Sequence, residues 1–310
     1  MKARAHHITA LKQYEEASER AADQIIRAYS TSFGAATKLL GTRHRRHVRN
    51  IYALVRVADE LVDGVAAEAH LSASQQLHHL DALESETHAA VQSGYSSNPI
   101  VHAFASSARI SGIDTSLTAP FFASMRTDLR TLPVVHGAHT GEHPGAVSFT
   151  DAAHSDYVYG SAEVIGLMCL RIFVCNERRS PDEMRLLERG ARSLGAAFQN
   201  VNFLRDLADD TERLSRSYLS GGEPLTEDLK LRWIRTIREQ LAEAETVLPL
   251  LPPDARTAVD CARRLFSRLT DKLARTPVEQ LLSHRVRVSN PVKALLITQS
   301  LVATRRRSLA

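Results

Sequence analysis

Apolar side chains recur along this chain at three- and four-residue intervals and almost nowhere at alternate positions. Between 43 and 63, Val48, Ile51, Tyr52, Val55, Leu61 and Val62 mark one helical stripe, which ends at Gly64. The same period predicts a helix over 11–40, bent or broken near Gly34 and ending near Gly41. Further helices are predicted over 72–92, 99–111, 118–131, 150–176, 181–214, 226–248, 253–275 and 290–305. The run from Ser93 to Pro99 is turn chemistry. Pro133, Gly137, Gly141, Pro144 and Gly145 mark 133–148 as a loop. Only the stretch from Arg285 to Ser289 alternates like a short strand. No repeat is visible, and no linker separates two cores. The expectation is an all-α chain forming one domain over 1–310, with its core over about 20–300.

Composition narrows the class. The 310 residues are 44% hydrophobic and 5% aromatic, and Ala, Leu and Arg are plentiful, which favours helix. Against 39 Lys and Arg stand 35 Asp and Glu. This small excess is scattered, which argues against a nucleic-acid partner. Arg305, Arg306 and Arg307 form a basic tail, read as a solvated end, with an anionic membrane surface as the other candidate. Cys169, Cys175 and Cys261 have no paired spacing, so the expected setting is a reducing cytoplasm. No apolar h-region follows Met1, and no apolar run is long enough to predict a spanning helix.

Two acidic constellations carry the candidate chemistry. Asp59 and Asp63 are four residues apart, hence on one helix face about 6 Å apart at Cβ. Their surroundings are apolar, and buried carboxylates need a counter-charge, which a cation or Arg56 could supply. Taken alone, this pair reads slightly more readily as a solvated acidic stripe, because the spacing is common by chance. The second constellation is less ordinary. Asn202, Asp206 and Asp210 recur every four residues and line three oxygen donors along one face, with Gln199 and Arg205 beside it. Such oxygens suit Mg²⁺, which takes one or two carboxylates together with waters and phosphate oxygens. Arg56 and Arg205 could grip a diphosphate through forked, charged hydrogen bonds.

With these segments in view, the sequence resembles the squalene and phytoene synthase family from about residue 25 to 295. The resemblance is carried by STSF at 30–33, IYALVRVADELVD at 51–63, YVYGSAEVIG at 157–166, QNVNFLRDLADD at 199–210 and RSYL at 216–219, in that order. It implies an isoprenoid synthase helical bundle around a central cavity. The implied activity is head-to-head joining of two prenyl diphosphates through a cyclopropylcarbinyl intermediate, with release of diphosphate. Asp59, Asp63, Asn202, Asp206 and Asp210 match the family's metal ligands, for Mg²⁺ or Mn²⁺. Ser30, Ser32, Tyr52, Arg56, Gln199, Arg205 and Tyr218 match positions that contact the diphosphates or line their site. Tyr157 matches a tyrosine placed near the cationic intermediates; by itself it reads as a core residue.

The chain also departs from the family pattern. Glu60 stands where a second Asp is common, Glu163 where Gly is frequent, and Gln280 near a position that holds Tyr in some members. The loop 133–148 is read as an insertion. Its His136, His139, Glu142 and His143 lack ligand spacing, so it is taken as solvated rather than zinc-binding. Thr37, one helical turn after Phe33, leaves room that a bulky aromatic would close. Hence the C20 substrate, geranylgeranyl diphosphate, is expected, with phytoene as product and no need for NADPH. Farnesyl diphosphate with a squalene-type product is the rival, and a non-catalytic prenyl-binding subunit is a third reading. Greasy substrates make peripheral contact with the inner face of a membrane a further expectation. His44 and His47, among Arg43, Arg45 and Arg46, read as a solvated helix start.

Overall fold

The three-to-four-residue spacing becomes helix over most of the chain. The computed structural model describes residues 9–29, 36–130, 147–148, 151–209, 216–217, 225–288 and 300. In order, its helices are α1 (Ala10–Tyr29), α2 (Thr42–Asp63), α3 (Val65–Glu68), α4 (Ala73–Ser93), α5 (Pro99–Ser111), α6 (Thr115–Arg130) and α7 (Asp151–Val158). A π-helical turn, Tyr159–Glu163, joins α7 to α8 (Val164–Val174). There follow α9 (Pro181–Asp209), α10 (Glu227–Thr246), a 3₁₀ turn at Leu248–Leu250, α11 (Pro253–Arg275) and α12 (Val278–Leu281). Two strands of two residues each, β1 (Val147–Ser148) and β2 (Arg216–Ser217), pair in parallel, Val147 with Arg216. They are the only sheet among the described residues and leave the class all-α.

Local signals set the boundaries. Ser72 accepts from the Gln75 amide at 3.3 Å, and Gln75 Oε1 accepts from the Ser72 amide at 2.9 Å, a reciprocal cap that starts α4. Asn98 caps α5 with Pro99 in its first turn. The alternation at 285–288 survives only as burial: Val286 is buried and Arg285 exposed, and among the described residues no strand pairs with it. The run Ala152–Val174 is long and apolar enough to cross a membrane by composition, contrary to the expectation that no such run exists. In this fold it packs between α6 and α9 as a core element.

The core falls into two clusters, one meeting the first half of α9 at Leu187 and the other its second half from Ala196 to Leu204. One gathers α2, α5, α6 and α8 around Phe104, Phe121, Phe122, Ile51 and Leu54. The other gathers α9, α10 and α11 around Val201, Leu204, Ile237 and Leu273. Each fully buried side chain of this size stabilises by roughly 1.5–3 kcal/mol. Around the π turn the backbones come unusually close. A Cβ on Gly160 would lie 2.4 Å from the Pro120 carbonyl oxygen of α6, and one on Gly195 would lie 2.6 Å from that of Ala162. Only glycine permits these approaches.

His44 and His47 correct the expectation of a solvated helix start. Both are buried. His44 Nε2 lies 3.3 Å from Asp254 Oδ1 of α11, and its ring meets Phe173 edge-on. Arg43 donates to both Asp254 oxygens at 2.7 and 2.9 Å, and the Gly41 amide donates to the Asp254 carbonyl at 2.8 Å. The basic cluster therefore fastens α2 to α11.

Candidate active site

The site begins at the C-terminal half of α2, which carries Tyr52, Arg56, Asp59, Glu60 and Asp63 on successive turns. Asp59 is half-buried, and loss of hydration pushes its carboxyl up to about 7. Arg56 opposes that rise, while the neighbouring charges of Asp63 and Glu60 add to it. A carboxylate so placed gains from any cation that approaches. Arg56 pairs with Glu60 and stacks 4.4 Å above the Tyr29 ring of α1. The second Glu60 oxygen accepts the Val65 amide at 3.1 Å. Glutamate in place of aspartate thus has a local use: its extra methylene lets one carboxylate serve Arg56 and the start of α3 together. Tyr52, deeper on α2, lies beside Cys169 of α8. Burial raises the Tyr52 hydroxyl well above its usual range and the Cys169 thiol to about 12.

The second motif lies on the last turns of α9. Asn202 and Gln199 are half-buried, one and two turns before Asp206. Asp206 is held by two arginines. Arg205 Nε donates to its Oδ1 at 2.7 Å, and Arg285 reaches it from beyond α12, with Nε 2.8 Å from Oδ1 and Nη2 3.2 Å from Oδ2. Arg285, read by sequence only as the start of a strand-like stretch, was not among the expected site residues, because it lies 79 positions away and belongs to no spaced acidic or basic motif. Its segment is pinned at both ends. Buried Lys230 donates to the Thr276 carbonyl at 2.7 Å and lies 2.6 Å from Glu227, whose other oxygen accepts the Val278 amide at 2.8 Å. Lys272 donates to the Arg287 carbonyl at 2.7 Å.

Between α2 and α9 runs the α7–π–α8 helix. α8 packs against both, so the two acidic helices flank a shared apolar element. At its start Tyr157 is buried, its ring 6.0 Å from Phe203, the neighbour of Asn202. The Tyr157 hydroxyl donates to Asp128 Oδ2 of α6 at 2.9 Å. His154 sits against Phe203 and Trp233, and Phe198 stacks on Phe266 at 3.8 Å, so the surroundings are aromatic. Glu163, on the π turn, forms a 2.6 Å ion pair with Arg192 of α9, which also lies over the Tyr159 ring.

Ser30, Ser32, Asp210 and Tyr218 lie outside the described residues, as do most of the 133–148 loop and the 305–307 tail. Among the described residues no three His, Cys, Asp or Glu side chains gather into a cage for an ion. The donor set still fits a hard divalent cation of the kind that keeps its waters and takes phosphate oxygens, since such an ion needs only one or two carboxylates from the protein.

The sequence profile of the squalene/phytoene synthase family matches residues 26–291. A phytoene synthase from Pseudescherichia vulneris is 32% identical over 204 residues, which are 64% of this chain and 58% of that protein. A 4,4'-diapophytoene synthase from Staphylococcus haemolyticus (strain JCSC1435) is 28% identical over 201 residues, 64% of this chain and 60% of its own length. The matches thus span about three fifths of each relative. The crystal structure of a dehydrosqualene synthase in complex with ligand superposes with a TM-score of 0.73 at 20% identity, over 96% of this chain and 99% of that one, which shows a shared fold.

Proposed function

Because the chain belongs to the squalene/phytoene synthase family, we propose that it condenses two molecules of geranylgeranyl diphosphate head to head into phytoene, by way of the cyclopropylcarbinyl intermediate prephytoene diphosphate. The observation that carries the reading is the charge arrangement at the two acidic motifs. A half-buried Asp59 disfavours its own ionised form, and Asp206 is held by Arg205 and Arg285. Such a site is matched to a cation and an anion arriving together, as a metal diphosphate does.

Asp59, Asp63, Asn202, Asp206 and Asp210 would hold Mg²⁺ or Mn²⁺, which supplies electrophilic neutralisation of the departing diphosphate. Arg56, Arg205 and Arg285 already stand at these carboxylates and can exchange them for phosphate oxygens by charged hydrogen bonds. Ser30, Ser32, Gln199 and Tyr218 complete the diphosphate contacts. Tyr52 and Tyr157, with Phe203, line the region in which the allylic cation is kept from water, which would quench it. Holding both chains side by side supplies the orientation.

The C20 chain length is supported by Thr37, small and buried where a bulky aromatic would take up more room. The similarity to a 4,4'-diapophytoene synthase favours a second reading with the C15 substrate, farnesyl diphosphate. Purified protein with Mg²⁺ and no NADPH, offered each substrate in turn, separates the two. A C40 hydrocarbon from the C20 substrate supports phytoene formation. Turnover of the C15 substrate alone moves the activity to the squalene branch. Silence with both refutes an enzyme.

A further inference from the structure

Four arginines that the proposed chemistry does not use line one groove on the outside of the bundle. Arg171 of α8 and Arg185, Arg189 and Arg192 of α9 border a hollow of about 560 Å³. Leu117, Leu167 and Ala196, all buried, form its floor together with Tyr159. None of the candidate site residues lines it. Arg189 stands 17 residues before Asp206 on the same helix, about 25 Å along its axis. The spacing of Arg185, Arg189 and Arg192 at four and three residues puts them on one face of α9.

The charge in the groove does not cancel. Glu188 and Glu163 line it too, and each is taken: Glu188 lies 3.3 Å from Arg171, and Glu163 2.6 Å from Arg192. Arg185 and Arg189 pair with Asp182 and Glu243, which stand outside the lining. The two arginine side chains are 70% and 63% exposed, and ion pairs so exposed are weak enough to be exchanged. A phosphate can take forked hydrogen bonds from two guanidinium groups at once. A phosphate ion alone would fill little of the hollow, whose size is that of a small-molecule site and whose floor is apolar.

We propose that this groove binds a phosphate-bearing amphiphile, its head at Arg185 and Arg189 and its apolar body on Leu117, Leu167 and Tyr159, with Glu163 as a built-in competitor. The Glu163 carboxylate, 15% exposed, holds Arg192 over the Tyr159 ring, 5.2 Å from its centre. While that pair stands, Arg192 covers part of the floor and is withheld from the head group. A free prenyl phosphate and the head of an anionic lipid share the required chemistry.

The test is titration calorimetry of the full chain with geranyl monophosphate in EDTA, so that binding needs neither metal nor turnover. Wild type is compared with the double variant Arg185→Ala/Arg189→Ala, with Glu163→Gln and with Arg205→Ala, each checked for fold by circular dichroism. The double variant should lose about ten-fold or more in affinity, because two charged hydrogen bonds go. Glu163→Gln should bind roughly three-fold tighter, because Arg192 is released. Arg205→Ala should bind like wild type. Inorganic phosphate should bind wild type about ten-fold more weakly or worse, since it lacks the apolar body. Vesicles of phosphatidylcholine and phosphatidylglycerol form the second arm. Co-sedimentation that the double variant loses, without binding of the soluble probe, supports the groove and makes its ligand a lipid head. Unchanged affinity in the double variant, or loss confined to Arg205→Ala, would place the phosphate at the acidic motifs and overturn the proposal. No binding of probe or vesicles would overturn it as well. Equal affinity for inorganic phosphate would remove the amphiphile, and an unchanged affinity in Glu163→Gln would remove the competitor.

Discussion

Replacing His47 by glutamine should flatten the acid limb of this protein's stability curve. His47 is buried between α2 and α5, with Nδ1 2.9 Å from Ser107 Oγ. Arg46 Nε points at its Nε2 at 3.2 Å, which makes Nε2 the acceptor and Nδ1–H the donor to Ser107. The Ser107 hydroxyl donates to the Ala103 carbonyl at 3.1 Å, and Asn50 Nδ2 donates to Ser107 at 3.0 Å. A second ring proton would therefore sit against a guanidinium. Burial, then Arg46, then His44 push the imidazole down to about 4. The other charges nearby are Asp254, on His44, and Glu19 of α1, 3.8 Å from Arg46. In the unfolded chain the ring titrates near 6.5, so the unfolded state takes the proton first. The contribution is complete above about pH 6.5 and is lost as pH falls towards 4. At about 1.4 kcal/mol per pH unit, the loss by pH 5 is roughly 2 kcal/mol. Glutamine keeps an amide donor for Ser107 and cannot protonate. Urea denaturation of both proteins from pH 7.5 to 5 should show the wild type losing about 2 kcal/mol more than His47→Gln. Parallel curves would refute the argument and place the acid sensitivity elsewhere.

Asp59→Asn should abolish turnover yet raise the melting temperature by a few degrees, because it removes a half-buried charge set against Glu60 and Asp63; calorimetry alongside diphosphate release tests both halves, and a lowered melting temperature would contradict the charge argument. Gly195→Ala should destabilise by roughly 1–3 kcal/mol, since its Cβ would press on the Ala162 carbonyl; an unchanged denaturation midpoint would show that the π turn yields easily. Lys230→Met should cost about 2 kcal/mol by leaving the Thr276 carbonyl without its lysine. Faster hydrogen exchange at the Val278 amide should accompany it, and unchanged exchange there would mean that the turn is held by burial alone.

Local periodicity made the helices legible. The stripe from Val48 to Val62 placed α2 within a residue of its observed start and at its observed end, and Ser93 to Pro99 marked the turn before α5. What a sequence hides is pairing at long range. His44 and Arg43 read as solvated because their partner, Asp254, is about 210 positions away, and no local pattern announces it. Arg285 was invisible for the same reason: its meaning comes from Asp206. Asp128 sat inside a predicted helix as one more polar residue, with nothing nearby to show that it meets Tyr157. The π turn escaped because one extra residue in a helical turn leaves the apolar spacing almost unchanged over a short window. The carboxylate spacing of the two motifs was plain in the sequence, whereas the charge environment of each had to await the packing.

The π turn also acts as a phase shifter. An α-helix advances by about 100° per residue, so one extra residue in a turn rotates everything after it by about that amount relative to everything before. Tyr157 lies upstream of Tyr159–Glu163, and the wall formed by Cys169 lies downstream. Their angular relation is therefore set by residue count as well as by residue type. Deleting one residue from this turn would give a regular α-helix and a chain whose other side chains are all preserved. Tyr157, packed with the Phe203 cluster, and Cys169, packed with the cluster of Ile51 and Leu54, would then lose their present angular relation, and no substitution elsewhere could restore it.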